Sequence, residues 1–322
     1  MIDFTDEEIE TLSITDIKDI EELDKETQKL IMKYVIGYGL IVGLLQKQIN
    51  RRLTKRQLNK LSNDIDKVVL GLNTDTLKYL KKTYPLYYLL SLQNIDKSSS
   101  FLLGVDVIEG ASSAIHKRAL KRATNDLYRD LAKNTRFMGR EAKKIIRSNA
   151  QELLVSMIES GESYITVKKK LTDQLKKNGV NSFVDKGRKN WKIDKYADMV
   201  VRTKSRILHN EGTINRLKDY REKYPDEENF DLIQISDHNA EDWCSFYEGK
   251  VFSITGNSKT YPSIDTLPNQ NFKTLHPNCK HVWLSYMPSV RGQGEVVSEE
   301  YQSISVKELN KIEYESRKKS RN

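Results

Sequence analysis

The six prolines set the coarse layout of this 322-residue chain: Pro85 stands alone, and the next is Pro225, followed by Pro262, Pro268, Pro277 and Pro288. Proline has no amide proton and its ring clashes with the carbonyl four residues back. Residues 86–224 are therefore free to run in long helices, whereas the last third is broken into short pieces.

Apolar spacing agrees with this division. Thr5 and Glu8 form a capping box, and Ile17, Ile20, Leu23, Leu30 and Ile31 follow at helical intervals. A second helix is expected from about Gln28 through Leu61. Asn149 is placed to cap a helix carrying Leu153, Leu154, Met157 and Ile158 and ending at Gly161. A basic helix around Val167, Leu171 and Leu175 then ends at Gly179. Asp194 opens a longer helix through Val200, Val201, Ile207, Leu208 and Leu217. Beyond Pro225 the pattern becomes short and alternating, at residues 232–235, 251–254 and 282–286, which predicts strands. One modest helix is expected near Val306 to Tyr314, before a basic end.

The fold class predicted is mainly α: an elongated helical N-terminal region followed by a small α+β C-terminal module with the residues to bind zinc. Four segments follow: an acidic-to-neutral helical arm over 1–120, a basic helical region over 121–225, the small β-containing module over 226–290, and a linker, short helix and basic tail over 291–322. Trp243 and Trp283 are expected in the core of the module.

Charge is unevenly placed within a net +9. The first thirty residues are acidic, while residues 115–225 carry an excess of about fifteen positive charges. Met1 is followed by acidic residues, so no secretory signal is expected. The most apolar run, Tyr34 to Leu45, is shorter than the roughly 20 residues of a spanning helix, so no stable membrane insertion is expected. Its Gly37, Gly39 and Gly43 do not make a dinucleotide fingerprint. They suit a core helix, or a close helix contact in an oligomer or a transiently contacted membrane.

Three of the five histidines and both cysteines fall in the short module, as His238, Cys244, His276, Cys279 and His281. Without an export signal the two thiols do not suggest a disulfide framework; they are buried core residues or metal ligands. Zinc takes four N or S ligands in close pairs joined by a loop. Cys279 and His281 supply one pair, Cys244 a third ligand, and His238, Glu241 or His276 the fourth. A closed set of this kind is structural and stabilises a module short of apolar residues.

The run from Asp237 to Phe252, with the later Leu275-His276-Pro277-Asn278-Cys279-Lys280-His281, resembles the phage head-morphogenesis family of Mu F-like minor head proteins and the phage minor capsid proteins related to it. That family's pattern is an aspartate, Cys-x-x-Cys, Gly-Lys-x-Phe and His-Pro-x-Cys-x-Cys. Asp237, Cys244, Gly249, Lys250, Phe252, His276, Pro277 and Cys279 match it, over roughly residues 125–288, and Arg202-Thr203 lies on a comparable upstream helix. Glu241 stands where the first cysteine is expected, and His281 replaces the last.

The resemblance implies a non-enzymatic structural protein of a tailed-phage virion. It would be made in the bacterial host cytoplasm and held in few copies at the portal vertex inside the capsid, acting with the portal and other head proteins in head assembly, DNA packaging or genome delivery. Independently, a basic helical face gains non-specific affinity for packaged double-stranded DNA by releasing counterions. The candidates are Lys117, Arg118, Lys121, Arg122, Arg129, Lys143, Lys144, Arg147, Lys168, Lys169 and Lys170, which equally suit a solvated helix face.

Two other classes compete. His238, Asn278 and His281 superficially resemble a ββα-metal nuclease, but about forty residues separate the first two and no acidic residue adjoins Asn278. A pure interaction module would use the acidic arm to grip a partner and leave DNA alone. No Gly-x-Ser-x-Gly elbow is present.

Overall fold

The computed structural model describes residues 19–49, 54–108, 113–159, 182–184, 190–225, 227–269 and 273–319. The chain is mainly helical, with α1 (Ile20–Ile49), α2 (Lys55–Lys82), α3 (Tyr84–Leu103) and α4 (Ala114–Glu159) before a hairpin of β1 (Ser182–Val184) and β2 (Asn190–Lys192). Next come α5 (Ile193–Lys223), β3 (Leu232–Ile235), β4 (Val251–Ser253), β5 (Trp283–Ser285), the single turn α6 (Pro288–Arg291) and α7 (Val306–Lys319). It packs as two units, each assembled from separate stretches: one of Met1–Asp24, Lys82–Asn125 and Val201–Asn322, the other of Lys25–Lys81 and Asp126–Val200. The boundaries between the units fall inside helices.

The second unit is a set of antiparallel helices. Tyr34 pairs with Thr76 (2.9 Å) and Lys33 with Asp75 (2.7 Å), so α1 and α2 run in opposite senses. Lys143 with Asp66 (2.6 Å) and Thr135 with Asn73 (2.8 Å) do the same for α4 and α2. One spacing recurs among the buried residues of all three helices: 30, 34, 41, 45 on α1; 61, 65, 72, 76 on α2; 127, 131, 138, 142 on α4. Steps of four, seven and four residues repeat every eleven, close to the natural helical turn, and keep one stripe facing the neighbour.

In the first unit β3 is the centre of an antiparallel sheet in the order β4-β3-β5. Ile233 lies opposite Phe252 and Ser285, and Ile235 opposite Trp283. The outer edge of β5 is closed by α5: the Trp283 amide donates to Asn210 (2.9 Å), and Thr213 donates to the Trp283 carbonyl (3.0 Å). Trp243 and Trp283 are both buried, with Phe230, Tyr247, Phe252, Leu217 and Leu309 in the same core.

Three helix boundaries differ from the sequence reading. The helix expected over 28–61 is two: α1 ends at Ile49 and α2 begins at Lys55. Thr54 and Gln57 make a reciprocal capping box, which satisfies amides that a continuous helix would use internally. Asn149 caps nothing, because α4 passes through it without interruption. The last helix extends to Lys319 and starts at a Ser305–Glu308 box. The Thr5–Glu8 box and the basic helix around 167–175 lie outside the described residues.

Candidate metal centre

Two loops of the first unit build the site. The first leaves β3 at Ile235 and re-enters the sheet at β4. Asp242 caps the turn Trp243–Tyr247 by accepting from the Cys244 amide (3.0 Å), which buries Trp243, Cys244 and Tyr247 on one side of that turn. The second loop, 273–282, leads into β5, and Asn278 takes a positive φ of 64° to turn it.

A polar row on α5 grips this second loop. The Asn278 amide donates to Thr203 Oγ1 (2.9 Å), Arg206 Nε donates to the Lys280 carbonyl (3.1 Å), and Asn210 Nδ2 donates to the Lys273 carbonyl (2.9 Å). Arg206 is itself held in a two-pronged pair by Asp24 (2.5 and 3.2 Å).

The loops bring three ligand groups together. Cys244 Sγ lies 2.5 Å from His276 Nε2 and 4.0 Å from Cys279 Sγ, and the three atoms are all within 4.8 Å of one another. Tetrahedral zinc with bonds of about 2.0–2.3 Å needs ligand atoms about 3.3–3.8 Å apart. The sulfur pair is close to that, and the Cys244–His276 pair would open by about 1 Å around an ion. Two buried thiols and an imidazole are a zinc-type donor set, so these residues fit the metal.

His281 adjoins the group. Its Nδ1 is 3.1 Å from Cys279 Sγ and its Nε2 is 2.8 Å from Glu248 Oε1. A carboxylate on one ring nitrogen fixes the tautomer that leaves the other free as a ligand. Glu248 also accepts from the backbone amides of His238 (2.9 Å) and Ala240 (3.1 Å), so the same carboxylate ties down the first loop.

The electrostatics favour a thiolate. Cys279 is held below the usual thiol range, first by the hydrogen bond from Cys244 and then by His281, against the opposing effect of burial. Cys244 is pushed up as the donor to Cys279 and by burial. Burial opposes protonation of His281, but the Cys279 thiolate and the Glu248 carboxylate outweigh it and raise the imidazole. Thiolate is the form that binds metal.

Of the residues expected here, Cys244, His276 and Cys279 converge and His281 touches them. His238 does not join: its Nε2 is 2.9 Å from Ser236 Oγ, and its ring centre is 5.2 Å from that of His281. Glu241 lies on an exposed turn outside the group. Sequence reasoning missed Asp242, whose Oδ2 is 3.2 Å from His276 Nε2, together with Glu248 and the α5 row. Asp242 stands at the cap position before a compact aromatic run and so carried a readable signal, whereas Glu248 and the α5 row depend on partners distant in sequence.

The basic residues divide between the units. In the first, Arg118 is exposed, Lys117 and Lys121 are half-buried, and Arg122 pairs with Glu211. In the second, Arg129 pairs with Asp126 and Lys143 with Asp66. Lys144 and Arg147 lie on α4, and Lys168, Lys169 and Lys170 are outside the described residues.

A family model described as phage minor capsid protein 2 matches residues 11–322. No curated protein and no solved structure matches the chain.

Proposed function

We propose, for a chain that belongs to the phage minor capsid protein 2 family and is therefore a structural protein of the virion associated with other head proteins, a non-catalytic role at the portal vertex in head assembly, DNA packaging or genome delivery. In this reading zinc closes the C-terminal lobe. The observation that carries it is the convergence of Cys244, His276 and Cys279 from loops more than thirty residues apart.

Cys244, Cys279 and His276 would hold the ion, with His281 Nδ1 as the fourth ligand oriented by Glu248. The ion would supply folding free energy rather than an activated water, because a filled tetrahedral set has no open position. The basic residues of the helical region would face packaged DNA without reading its sequence. The partners of His238 and His281, Ser236 and Glu248, support the non-catalytic reading over a nuclease.

Metal analysis of the full chain beside Cys279→Ser tests the reading. The expected result is one zinc per chain in the wild type, lost in Cys279→Ser together with protection of the sheet amides against hydrogen exchange. A metal-free wild type with a protected sheet would remove the site. The DNA-facing role predicts binding to duplex DNA that weakens steeply between low and moderate salt.

A further inference from the structure

Helix α1 is apolar on two opposite sides. Leu30, Tyr34, Ile41 and Leu45 are buried within the second unit. Met32, Val35, Ile36 and Leu40 are exposed, at 57%, 39%, 54% and 54%. At about 100° per residue the two sets are centred roughly 180° apart. Gly39 and Gly43 lie on the exposed side, where an added Cβ would meet nothing within 4 Å. An amphipathic helix needs one apolar partner, and this one has apolar surface for two.

The helix is long and apolar enough to cross a membrane, yet only 33% of its most apolar 18-residue window is buried. A soluble core helix with that composition would be mostly enclosed. Charge adds a second, independent observation: from Thr27 to Asn63 the sequence contains eight lysines and arginines and no aspartate or glutamate. Lys29 and Lys33 border the exposed stripe, largely in water on long apolar stems although each also pairs with an acid, Glu26 and Asp75, so the charge excess is carried mainly by the cations that follow towards Asn63.

We propose that this face of α1 docks on an anionic lipid bilayer, lying in the plane of the headgroups with Met32, Val35, Ile36 and Leu40 in the acyl boundary. A basic border around an apolar stripe is the chemistry of an interfacial helix. The docking is peripheral, because crossing would pull Tyr34, Ile41 and Leu45 out of their core and break the Tyr34–Thr76 hydrogen bond. A second copy fits the stripe less well. It is one helix wide and about 12 Å long from Met32 to Leu40, far below the roughly 800 Å² per partner of a stable interface. Nucleic acid would use the cations but leave the four apolar side chains in water.

Flotation of the purified full chain with vesicles tests the proposal. Vesicles of phosphatidylglycerol and phosphatidylethanolamine should carry the wild type upward, and vesicles of phosphatidylcholine alone should carry at least tenfold less. Ile36→Glu/Leu40→Glu should lose binding tenfold or more while keeping the wild-type circular dichroism, because both side chains face solvent. Met32→Gln/Leu40→Gln, milder in charge, should show the same direction if the first variant fails to fold. Wild type that stays unbound on anionic vesicles overturns the proposal. So does equal binding by a folded variant, or a solution dimer that the variants split without any vesicle binding.

Discussion

The two packing units are held together by different means. In the helical unit of α1, α2 and α4, mostly apolar side chains at a shared spacing form the core, pairwise hydrogen bonds such as Tyr34–Thr76 are local to it, and the ion pairs Lys33–Asp75 and Lys143–Asp66 sit at its partly exposed surface. In the unit that carries the candidate Cys244–His276–Cys279 group, charged and polar groups are buried and join elements far apart in sequence. Arg216 is buried between Asp96 (3.2 Å) and Asp219 (3.3 Å). Asn215 donates to the Tyr88 hydroxyl (2.8 Å), Tyr88 and His116 Nδ1 meet at 2.6 Å, and His116 Nε2 reaches Asp219 at 2.7 Å. A helical stack tolerates small losses of volume, whereas a buried polar chain fails when one member leaves the others without partners.

The largest expected difference comes from Arg216→Ala. It leaves Asp96, already raised by burial, without its main compensating charge. Breaking a buried pair from one side costs about 3–5 kcal/mol. Hydrogen exchange should show deprotection of the sheet and of α3, with amides in α1 and α2 unchanged. A uniform loss across both units would mean that they unfold as one and would undo the distinction.

Acid should also act on one unit first. His209 is fully buried and held down to about 4 from 6.5 by burial and by the neighbouring Arg206. Between those values the unfolded chain binds a proton that the folded chain does not, so stability rises with pH across that window and falls as pH is lowered from 6.5 towards 4. The whole shift corresponds to about 3 kcal/mol. Urea titrations at pH 7 and pH 4.5 should show the loss, and His209→Gln should flatten it. A wild-type midpoint that does not move between the two pH values would contradict this.

The sequence showed the parts of each unit whose pattern is local. Two-residue alternation marked β3, β4 and β5, and aromatic bulk placed Trp243 and Trp283 in the core. The concentration of thiols and imidazoles singled out the stretch in which Cys244, His276 and Cys279 converge as a group that could hold a metal ion. What stayed hidden depends on partners remote in sequence. Arg206 is an ordinary surface-type residue until Asp24 and the Lys280 carbonyl surround it, and Glu248 gains meaning only beside His281. Asn149 misled because a good cap residue starts a helix only where the preceding backbone is not already helical. The eleven-residue spacing was present in the sequence, but it becomes visible only when the three helices are set side by side.

Two glycines give the finest test of the contrast. A Cβ at Gly212 on α5 would stand 1.9 Å from Ser91 Oγ, 3.0 Å from the Tyr88 carbonyl and 3.2 Å from Tyr88 Cδ2. Ser91 already donates to that carbonyl (2.7 Å), and backbone cannot move aside without shifting α3. Gly212→Ala should therefore destabilise by about 1–3 kcal/mol through overpacking, despite alanine's better helix propensity. At Gly37 on α1 the three atoms nearest the added Cβ all belong to the Leu72 side chain, at 2.8 and 3.1 Å. The tip of a leucine can change rotamer, and the gain of about 1 kcal/mol from helix propensity offsets the crowding. Gly37→Ala should melt within about 2 °C of the wild type, and Gly212→Ala several degrees lower. Equal shifts for the two would mean that the polar unit yields as readily as the helical one, and that its buried hydrogen bonds do not fix the spacing of α3 and α5.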